Sequence, residues 1–184
     1  YDLSPIEQAG KYKDHGFKNL HIVDLDGALT GETINLDIIQ DIVSKFDLKV
    51  EIGGGIRNID SIQKFSPDDC TTNPSLIYKA VQSKKYDKLV NEVIANSKSR
   101  KFNNPTDQVD YISDQLAIAF GIELSKIVPG YVSTEVDANL SFDTNATFEK
   151  AKQIINSYDH AGVPKNRILI KVAGTWEGIQ AVKK

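Results

Sequence analysis

The sequence predicts an α/β fold of the (β/α) barrel type, incomplete at about five strands. Short apolar runs, typical of parallel strands buried on both faces, alternate along the chain with segments of helical periodicity. Parallel strands need long crossover connections, which helices supply. Polar side chains recur where the predicted strands end, which favours a barrel mouth over a doubly wound sheet, although a closed barrel needs eight strands.

The first third of the chain contains two predicted strands and three predicted helices. The first helix, at 4–15, has Ser4 as N-cap, Pro5 at its first position and Glu7 three residues after the cap. The next elements are a strand at 20–23, a helix at 34–46 with apolar residues at helical spacing, a strand at 50–52 that ends in three glycines, and a helix at 59–65.

The remaining two thirds continue the alternation of strands and helices. The predicted elements are a short strand from Thr71, a helix at 75–98, a polar loop at 103–105, a helix to residue 124, a strand at 131–137, a helix at 143–160, a strand at 168–173 and the start of a helix after Trp176.

Composition excludes several classes of function. The chain has 184 residues, which predicts one core, and a net charge of −3, which favours neither nucleic acid nor an acidic membrane as partner. No apolar stretch approaches the roughly 20 residues of a membrane span, and the histidines lack metal-ligand spacing. The single cysteine, Cys70, indicates the cytoplasm. Because methionine is absent and the chain stops in an opening helix, we expect a fragment.

Lys171 stands alone in the apolar run 168–173. A lysine desolvated on a buried strand favours the neutral, nucleophilic amine that an imine-forming lysine requires. A lysine that reaches water from a strand end is the equally weighted alternative. The strand at 131–137 carries acids in a similar setting, among them Glu135. An amine and a carboxylate on two strands predict one shared site.

The segment Thr71 to Ile77 places two hydroxyls and an amide at a strand end, directly before a helix. Asn73, which precedes a proline, favours extended backbone, and Ser75 can cap the first helical turn. A well-formed turn between a strand and a helix explains the same residues without any binding role.

Four segments within residues 64–184 resemble transaldolase, in the order and at the spacing of that family. They are Thr71–Ile77, Val128-Pro129-Gly130, Ser133–Ala138 with Leu140-Ser141, and Ile168–Ala173 with Thr175–Ile179. The resemblance implies that Lys171 forms an imine with a ketose donor, that Glu135 is the carboxylate of the acid/base network, and that Thr71, Asn73 and Ser75 hold water and substrate. It also implies sugar-phosphate substrates and neither metal nor organic cofactor.

The transaldolase pattern is incomplete in this chain. The family carries an acid/base aspartate on its first barrel strand, in an Ala-Asp-Thr-Gly-Asp setting, whereas this chain has Val50–Arg57 ahead of Cys70. The chain also lacks the later strands where the family keeps a phosphate-binding arginine and serine. These departures favour, as the alternative, a catalytically inactive partial barrel.

Residues 1–63 resemble a different family, the ProFAR isomerase of histidine biosynthesis. The segments that carry this resemblance are Ser4–Gln8, His15–Phe17, Leu20–Ala28 and Gly53–Arg57. The resemblance implies that Gly54, Gly55 and Arg57 bind a substrate phosphate, and a glycine loop before a helix suits an anion. A tight turn with a surface arginine is the alternative. The two catalytic aspartates of that isomerase are not recognisable, since Asp24 and Asp26 belong to another motif.

The sequence therefore reads as a chimera joined near residues 64–66, with the parts 1–63 and 64–184 in one continuous part-barrel. We expect transaldolase-like transfer of a three-carbon ketol unit between sugar phosphates. The alternatives are an inactive part-barrel that at most binds phosphate, and an isomerase fragment. Five strands leave two open edges, which favour a homodimer or a complementing partial barrel as partner.

Overall fold

The computed structural model describes residues 3–32, 34–53, 62–63, 67–72 and 74–184. All strand pairs in this part of the chain are parallel, as the sequence predicts. The chain divides into two units, Tyr1–Ile62 and Gln63–Lys184. Of the helix predicted at 59–65, residues 62 and 63 are helical, and the other positions lie outside the described residues.

The first unit pairs two parallel strands, Asn19 with Lys49 through Val23 with Gly53. Its elements are α1 (Pro5–Asp14), β1 (Asn19–Val23), α2 (Leu25–Thr30), α3 (Leu36–Lys45) and β2 (Lys49–Gly53). The predicted capping box is present, because the Ser4 hydroxyl accepts from the Glu7 N–H and the Glu7 carboxylate accepts from the Ser4 N–H. Helix α2 was not predicted; its N-cap is Asp24, which accepts from the Gly27 N–H.

Helices α1 and α3 pack against each other in the first unit. The helical spacing predicted for 34–46 accounts for this contact, because three apolar residues of α3 recur on one buried face. The buried apolar residues of this unit are Ala9, Leu36, Ile39, Ile42 and Leu48.

The second unit contains a three-stranded parallel sheet in the order β3–β4–β5. Its strands are β3 (Cys70–Thr71), β4 (Val132–Glu135) and β5 (Ile168–Lys171), and its helices are α4 (Pro74–Gln82), α5 (Asp87–Ser97), α6 (Pro105–Ser125), α7 (Thr144–His160) and α8 (Trp176–Val182). Short 3-10 turns at Ala138–Leu140 and Lys165–Arg167 flank α7 on either side.

The single helix predicted at 75–98 is wrong, since the chain breaks it into α4 and α5. Lys84 adopts a left-handed backbone with φ of 58°, which ends helical geometry. Just before it, the Ser83 hydroxyl donates to the Ala80 carbonyl at 2.7 Å and satisfies one of the last carbonyls of α4. The apolar spacing continues through this break, so periodicity alone predicts one helix.

The helices of the second unit cover one face of its sheet. Val132 and Thr134 of β4 and Ile168 of β5 point to this face and are buried. Helix α6 packs against β4 and α7 against β5, and α7 also contacts α6 and α8. Because successive side chains of a strand alternate, the remaining residues of β4 and β5 point to the opposite face. Leu169 on that face is 49% exposed.

Arg167 fastens the start of β5 to the end of α6. Its Nε donates to the Gly130 carbonyl at 2.8 Å, Nη1 to the Ser125 carbonyl at 3.2 Å and Nη2 to the Val128 carbonyl at 2.5 Å. Ser125 is the last residue of α6, where carbonyl groups lack partners within the helix and a cation is favourable. One guanidinium thus joins both ends of the segment between residues 130 and 167.

Candidate active site

Glu135 and Lys171 end two neighbouring strands and are direct partners in the parallel register. The Nζ of Lys171 lies 3.2 Å from the Oε2 of Glu135, within hydrogen-bond and ion-pair distance. The structure therefore brings together the amine and the carboxylate that the sequence predicts at one site. The pairing continues past the strand ends, because the Val136 N–H donates to the Lys171 carbonyl at 2.9 Å.

Thr71 lies on the same face of the sheet as this pair. Its partner in the register is Ser133, and Ser133 stands two residues before Glu135 on β4. Since side chains two residues apart on a strand share a face, Thr71, Glu135 and Lys171 all point away from the helices. This surface, defined by Thr71, Ser133, Glu135, Leu169 and Lys171, is called the open face below.

The desolvation expected for Lys171 is not found in the structure. The lysine side chain is 47% exposed and that of Glu135 is 34% exposed. The alternative reading, a lysine that reaches water from a strand end, describes the observed position. The error has a simple physical reason: the apolar neighbours Ile168 and Ile170 point to the helix side, whereas Lys171 points to the open face.

The Thr71 hydroxyl is held by backbone groups. It donates to the carbonyls of Ser133 at 3.4 Å and of Thr72 at 3.3 Å. Asn73 lies outside the described residues. Ser75 is in the first turn of α4, but its side chain also lies outside the described part of the chain. The structure therefore locates one of the three predicted polar side chains of this segment.

The loops that follow β4 and β5 are joined by two threonines. The Thr175 hydroxyl donates to the Ser141 carbonyl, and the Thr144 hydroxyl donates to the Glu177 carbonyl at 3.0 Å. Thr144 is the first residue of α7 and Thr175 is the N-cap of α8. Each threonine therefore bonds from the start of its own helix to the segment that follows the other strand. The backbone that carries Glu135 and Lys171 is thereby tied together beyond the strand ends.

A chain of buried hydroxyls behind the open face was missed in the sequence. Thr72, Thr134 and Tyr158 are all buried, and their hydroxyls lie in series from the residue after β3, through β4, to α7. Burial raises the pKa of Tyr158 to about 12, so this phenol stays protonated in neutral solution. Thr72 and Thr134 are sequence neighbours of Thr71 and Glu135, so the alternation of strand side chains indicates that both threonines face the helices. Nothing in the sequence pairs them with Tyr158.

Cys70 begins β3 next to Thr71. Burial, followed by the nearby negative charge of Asp69, raises the pKa of this thiol to about 11, while Arg167 opposes the shift. The thiol is therefore a poor nucleophile at neutral pH.

Asp24 directly follows β1 in the first unit and is buried. Burial by itself raises the pKa of this carboxyl, but hydrogen bonds from the Gly27 N–H and from the Asn35 side chain and backbone outweigh it and lower the pKa. The Asn35 Nδ2 donates at 2.7 Å and the Gly27 N–H at 2.9 Å. Asp24 therefore serves as a helix cap. The predicted phosphate-binding residues Gly54, Gly55 and Arg57 lie outside the described residues.

A groove of about 570 Å³ runs between α6 and α7, and its lining includes the Lys150–Asp114 ion pair at 2.5 Å. It lies away from the open face, and none of the predicted site residues located by the structure lines it. Within the described ranges, no helix has the length and hydropathy to cross a bilayer. In the same ranges, no group of three or more His, Cys, Asp or Glu side chains is arranged to hold a metal ion.

Two families match overlapping parts of the chain. Residues 56–184 match the family described as Transaldolase/Fructose-6-phosphate aldolase, and residues 1–102 match the family described as Histidine biosynthesis protein. Both resemblances read from the sequence are confirmed, as is its composite nature. The incomplete (β/α)-barrel type is confirmed by the first match together with the parallel strands.

Curated relatives that match about two thirds of this chain are transaldolases. The protein from Saccharomyces cerevisiae is 54% identical over 125 residues, which are 67% of this chain and 37% of the relative. Those from Cellvibrio japonicus and Alteromonas mediterranea are 49% and 50% identical over 126 residues, which are 68% of this chain and 39% of each relative. The chain thus spans about two fifths of the length of the relatives it matches.

Proposed function

The chain belongs to the transaldolase/fructose-6-phosphate aldolase family through residues 56–184 and to the histidine biosynthesis protein family through residues 1–102, and we propose that it reacts with ketose phosphates through an imine on Lys171. The proposed reaction is transfer of a three-carbon ketol unit between sugar phosphates. The observation that carries the proposal is the 3.2 Å separation between Lys171 Nζ and Glu135 Oε2 on one face of neighbouring strands.

In the proposed reaction, the free amine of Lys171 attacks the ketone carbon of the donor, and loss of water leaves an imine. The protonated imine then accepts the electron pair of the carbon–carbon bond that breaks, while the hydroxyl on the departing carbon gives its proton to the Glu135 carboxylate and the aldehyde product leaves. The three-carbon enamine that remains attacks an acceptor aldehyde, and hydrolysis of the new imine frees the lysine. Every bond broken is matched by one formed, so no cofactor is required.

Glu135 supplies the proton transfers in this proposal. A carboxylate at hydrogen-bond distance can take a proton from the Lys171 ammonium and can return it to the departing water. Its partial exposure leaves room for a substrate between the pair and solvent. Thr71, on the same face, is proposed to hold water or substrate, with Asn73 and Ser75 beside it.

The first prediction concerns trapping of the imine. Incubation with fructose 6-phosphate and borohydride should add a sugar-derived mass to Lys171 through a secondary amine, because borohydride reduces an imine irreversibly. An adduct of the whole hexose phosphate reports imine formation alone, and a three-carbon adduct also reports carbon–carbon cleavage. Peptide mass spectrometry locates and distinguishes the two.

Lys171→Arg should abolish the adduct, because it keeps the charge and removes the nucleophile. Lys152→Arg is the matched control, since Lys152 is also about half exposed and lies 3.4 Å from a carboxylate, that of Glu149. Folded wild-type protein without an adduct on Lys171 would refute the proposed function.

A second candidate is a part-barrel that associates without catalysis. The outer edge of β5 has no strand partner in the described residues, and unpaired edges favour pairing with another chain. We propose a second copy or a complementing partial barrel as that chain. Phosphate binding by Gly54, Gly55 and Arg57 stays a prediction, as does a cytoplasmic location, which the free thiol of Cys70 suits.

A further inference from the structure

Three buried hydroxyls form a continuous chain directly behind the candidate site. The Thr72 hydroxyl donates to Thr134 Oγ1 at 3.2 Å and also lies 3.3 Å from the Ser133 carbonyl. Thr134 Oγ1 and the Tyr158 hydroxyl are 2.6 Å apart. Thr134 is 1% exposed and Tyr158 is fully buried, so water does not compete for these bonds. These hydrogen bonds run from Thr72, the residue directly after β3, through β4 to helix α7.

Both threonines of this hydroxyl chain are next to a predicted site residue in the sequence. Thr72 follows Thr71, and Thr134 precedes Glu135. Neighbours on a strand point to opposite faces, so the hydroxyl chain lies on the helix side while Thr71 and Glu135 lie on the open face. A movement of β4 at Thr134 therefore moves the backbone that carries Glu135.

Helix packing holds the Tyr158 end of the chain in place. A Cβ built on Gly121 of α6 would overlap the Tyr158 hydroxyl, so the phenol fits only because position 121 is a glycine. Tyr158 therefore cannot withdraw from Thr134 without disturbing the contact between α6 and α7. Burial raises the pKa of the phenol from 10.0 to about 12, so the hydrogen bond to Thr134 persists into alkaline solution.

We propose that Thr134 and Tyr158 are positioning residues that set Glu135 against Lys171. This inference rests on the proposed function, because it assigns the hydroxyl chain to the proton transfers of that reaction. Buried hydrogen-bonded networks fix geometry more strongly than exposed ion pairs, and small displacements of a catalytic group slow a reaction markedly. The buried hydroxyls of Thr134 and Tyr158 thus align the exposed pair of Glu135 and Lys171.

The test measures the rate of borohydride trapping at Lys171 with fructose 6-phosphate. Thr134→Val, which replaces the hydroxyl by a methyl of similar shape, and Tyr158→Phe should each slow trapping by about tenfold. Thr134→Ser should restore the rate, since it returns the hydroxyl. Ser97→Ala is the control and should match the wild-type rate, because Ser97 is also buried but its hydroxyl bonds to the Ile94 carbonyl of its own helix.

The Glu135→Gln background separates positioning from general loosening of the fold. If Thr134 acts through Glu135, Thr134→Val should cause no further slowing there, whereas an equal slowing in both backgrounds would overturn the inference. Unchanged trapping in Thr134→Val, with a normal wild-type adduct, would also overturn it and leave the proposed function intact. An adduct absent from wild type refutes the proposed function, and the positioning role with it.

Discussion

The ion pair between Lys171 and Glu135 is half exposed, and this limits how firmly it holds the amine. Exposed pairs stabilise proteins by about 0–1 kcal/mol, because water screens the charges and both side chains lose freedom. Such a pair opens readily when a substrate arrives. The amine is therefore held near its carboxylate without being locked to it, which is what the proposed imine formation needs.

Cys70 provides a prediction at the residue scale. Because burial and Asp69 raise the pKa of its thiol from 9.0 to about 11, the folded protein should hold about 100-fold less thiolate at pH 8 than an unperturbed cysteine. Alkylation by iodoacetamide should be slower by a similar factor, and its rate should rise until about pH 11. Mass spectrometry of quenched samples measures this, with urea-unfolded protein as the control. Equal rates in folded and unfolded protein would contradict the assignment.

The raised pKa of the Cys70 thiol also makes the free energy of unfolding depend on pH. Between pH 9 and about 11 the folded state keeps the Cys70 proton while the unfolded state releases it, so the free energy of unfolding falls as pH rises. Tyr158, with its pKa raised from 10.0 to about 12, extends the fall to higher pH.

Residue-level predictions succeeded where they depended on local sequence or on strand register. The capping box of Ser4 and Glu7 needs only residues three apart, and the meeting of Glu135 with Lys171 follows from two parallel strands ending together. The partnership of Thr134 with Tyr158 was not predictable, since the residues are 24 positions apart and meet only through the packing of α7.

At the scale of elements, most strands and helices follow from periodicity. The exceptions are α2, whose six residues are too few to show a period, and the break between α4 and α5. Left-handed backbone is normally signalled by glycine or asparagine, and Lys84 gives no such signal. Local hydrogen bonding, as by Asp24 and Ser83, decided the structure at both places.

Contact between α6 and α7 gives the prediction for this scale. Gly121→Ala should lower the free energy of unfolding by roughly 3 kcal/mol, because the added methyl overlaps the hydroxyl of a fully buried tyrosine. Tyr158→Phe should recover part of this loss in the double variant, since the hydroxyl is the nearest atom.

Urea denaturation measures the free energy of unfolding of each variant relative to the wild-type protein. Gly174→Ala is the matched control, because a Cβ there meets nothing within 4 Å, and it should change stability by less than about 0.5 kcal/mol. Equal stability of Gly121→Ala and Gly174→Ala would show that α6 and α7 are packed differently.

For the whole molecule, the sequence predicted the class, the parallel strands and the composite origin, all of which are confirmed. The division at residues 63 and 64, and the union of both parts in one part-barrel, stay predictions. The periodicity of the sequence describes each pair of strand and helix separately, so it does not determine how successive pairs are arranged into a barrel. The roles of the site residues depend on chemistry and also stay predictions.

Self-association is the prediction for the whole chain. Trp176, Ile179 and Val182 follow each other at helical spacing on α8 and are exposed. The outer edge of β5 also has no strand partner in the described residues, and exposed apolar stripes and unpaired strand edges both favour association. Sedimentation equilibrium should show an apparent mass that rises with concentration above the 20.4 kDa of one chain.

The double variant Trp176→Gln/Val182→Gln should weaken this association. Val109→Gln serves as its control, because Val109 is an exposed valine on another helix, α6. A wild-type chain that sediments as a monomer at every concentration would argue against partnering through β5 and α8.

Arg167 has a consequence for how such chains are assembled. Its guanidinium, at the end of the segment 130–167, donates to the carbonyl of Gly130 at the start of that segment and to the carbonyl of Val128 just before it. The strand, the helix and the turn that follows it therefore form a segment whose two ends are joined by hydrogen bonds. Such a segment is suited to transfer from one barrel to another, because its two ends stay together whichever barrel supplies the neighbouring strands.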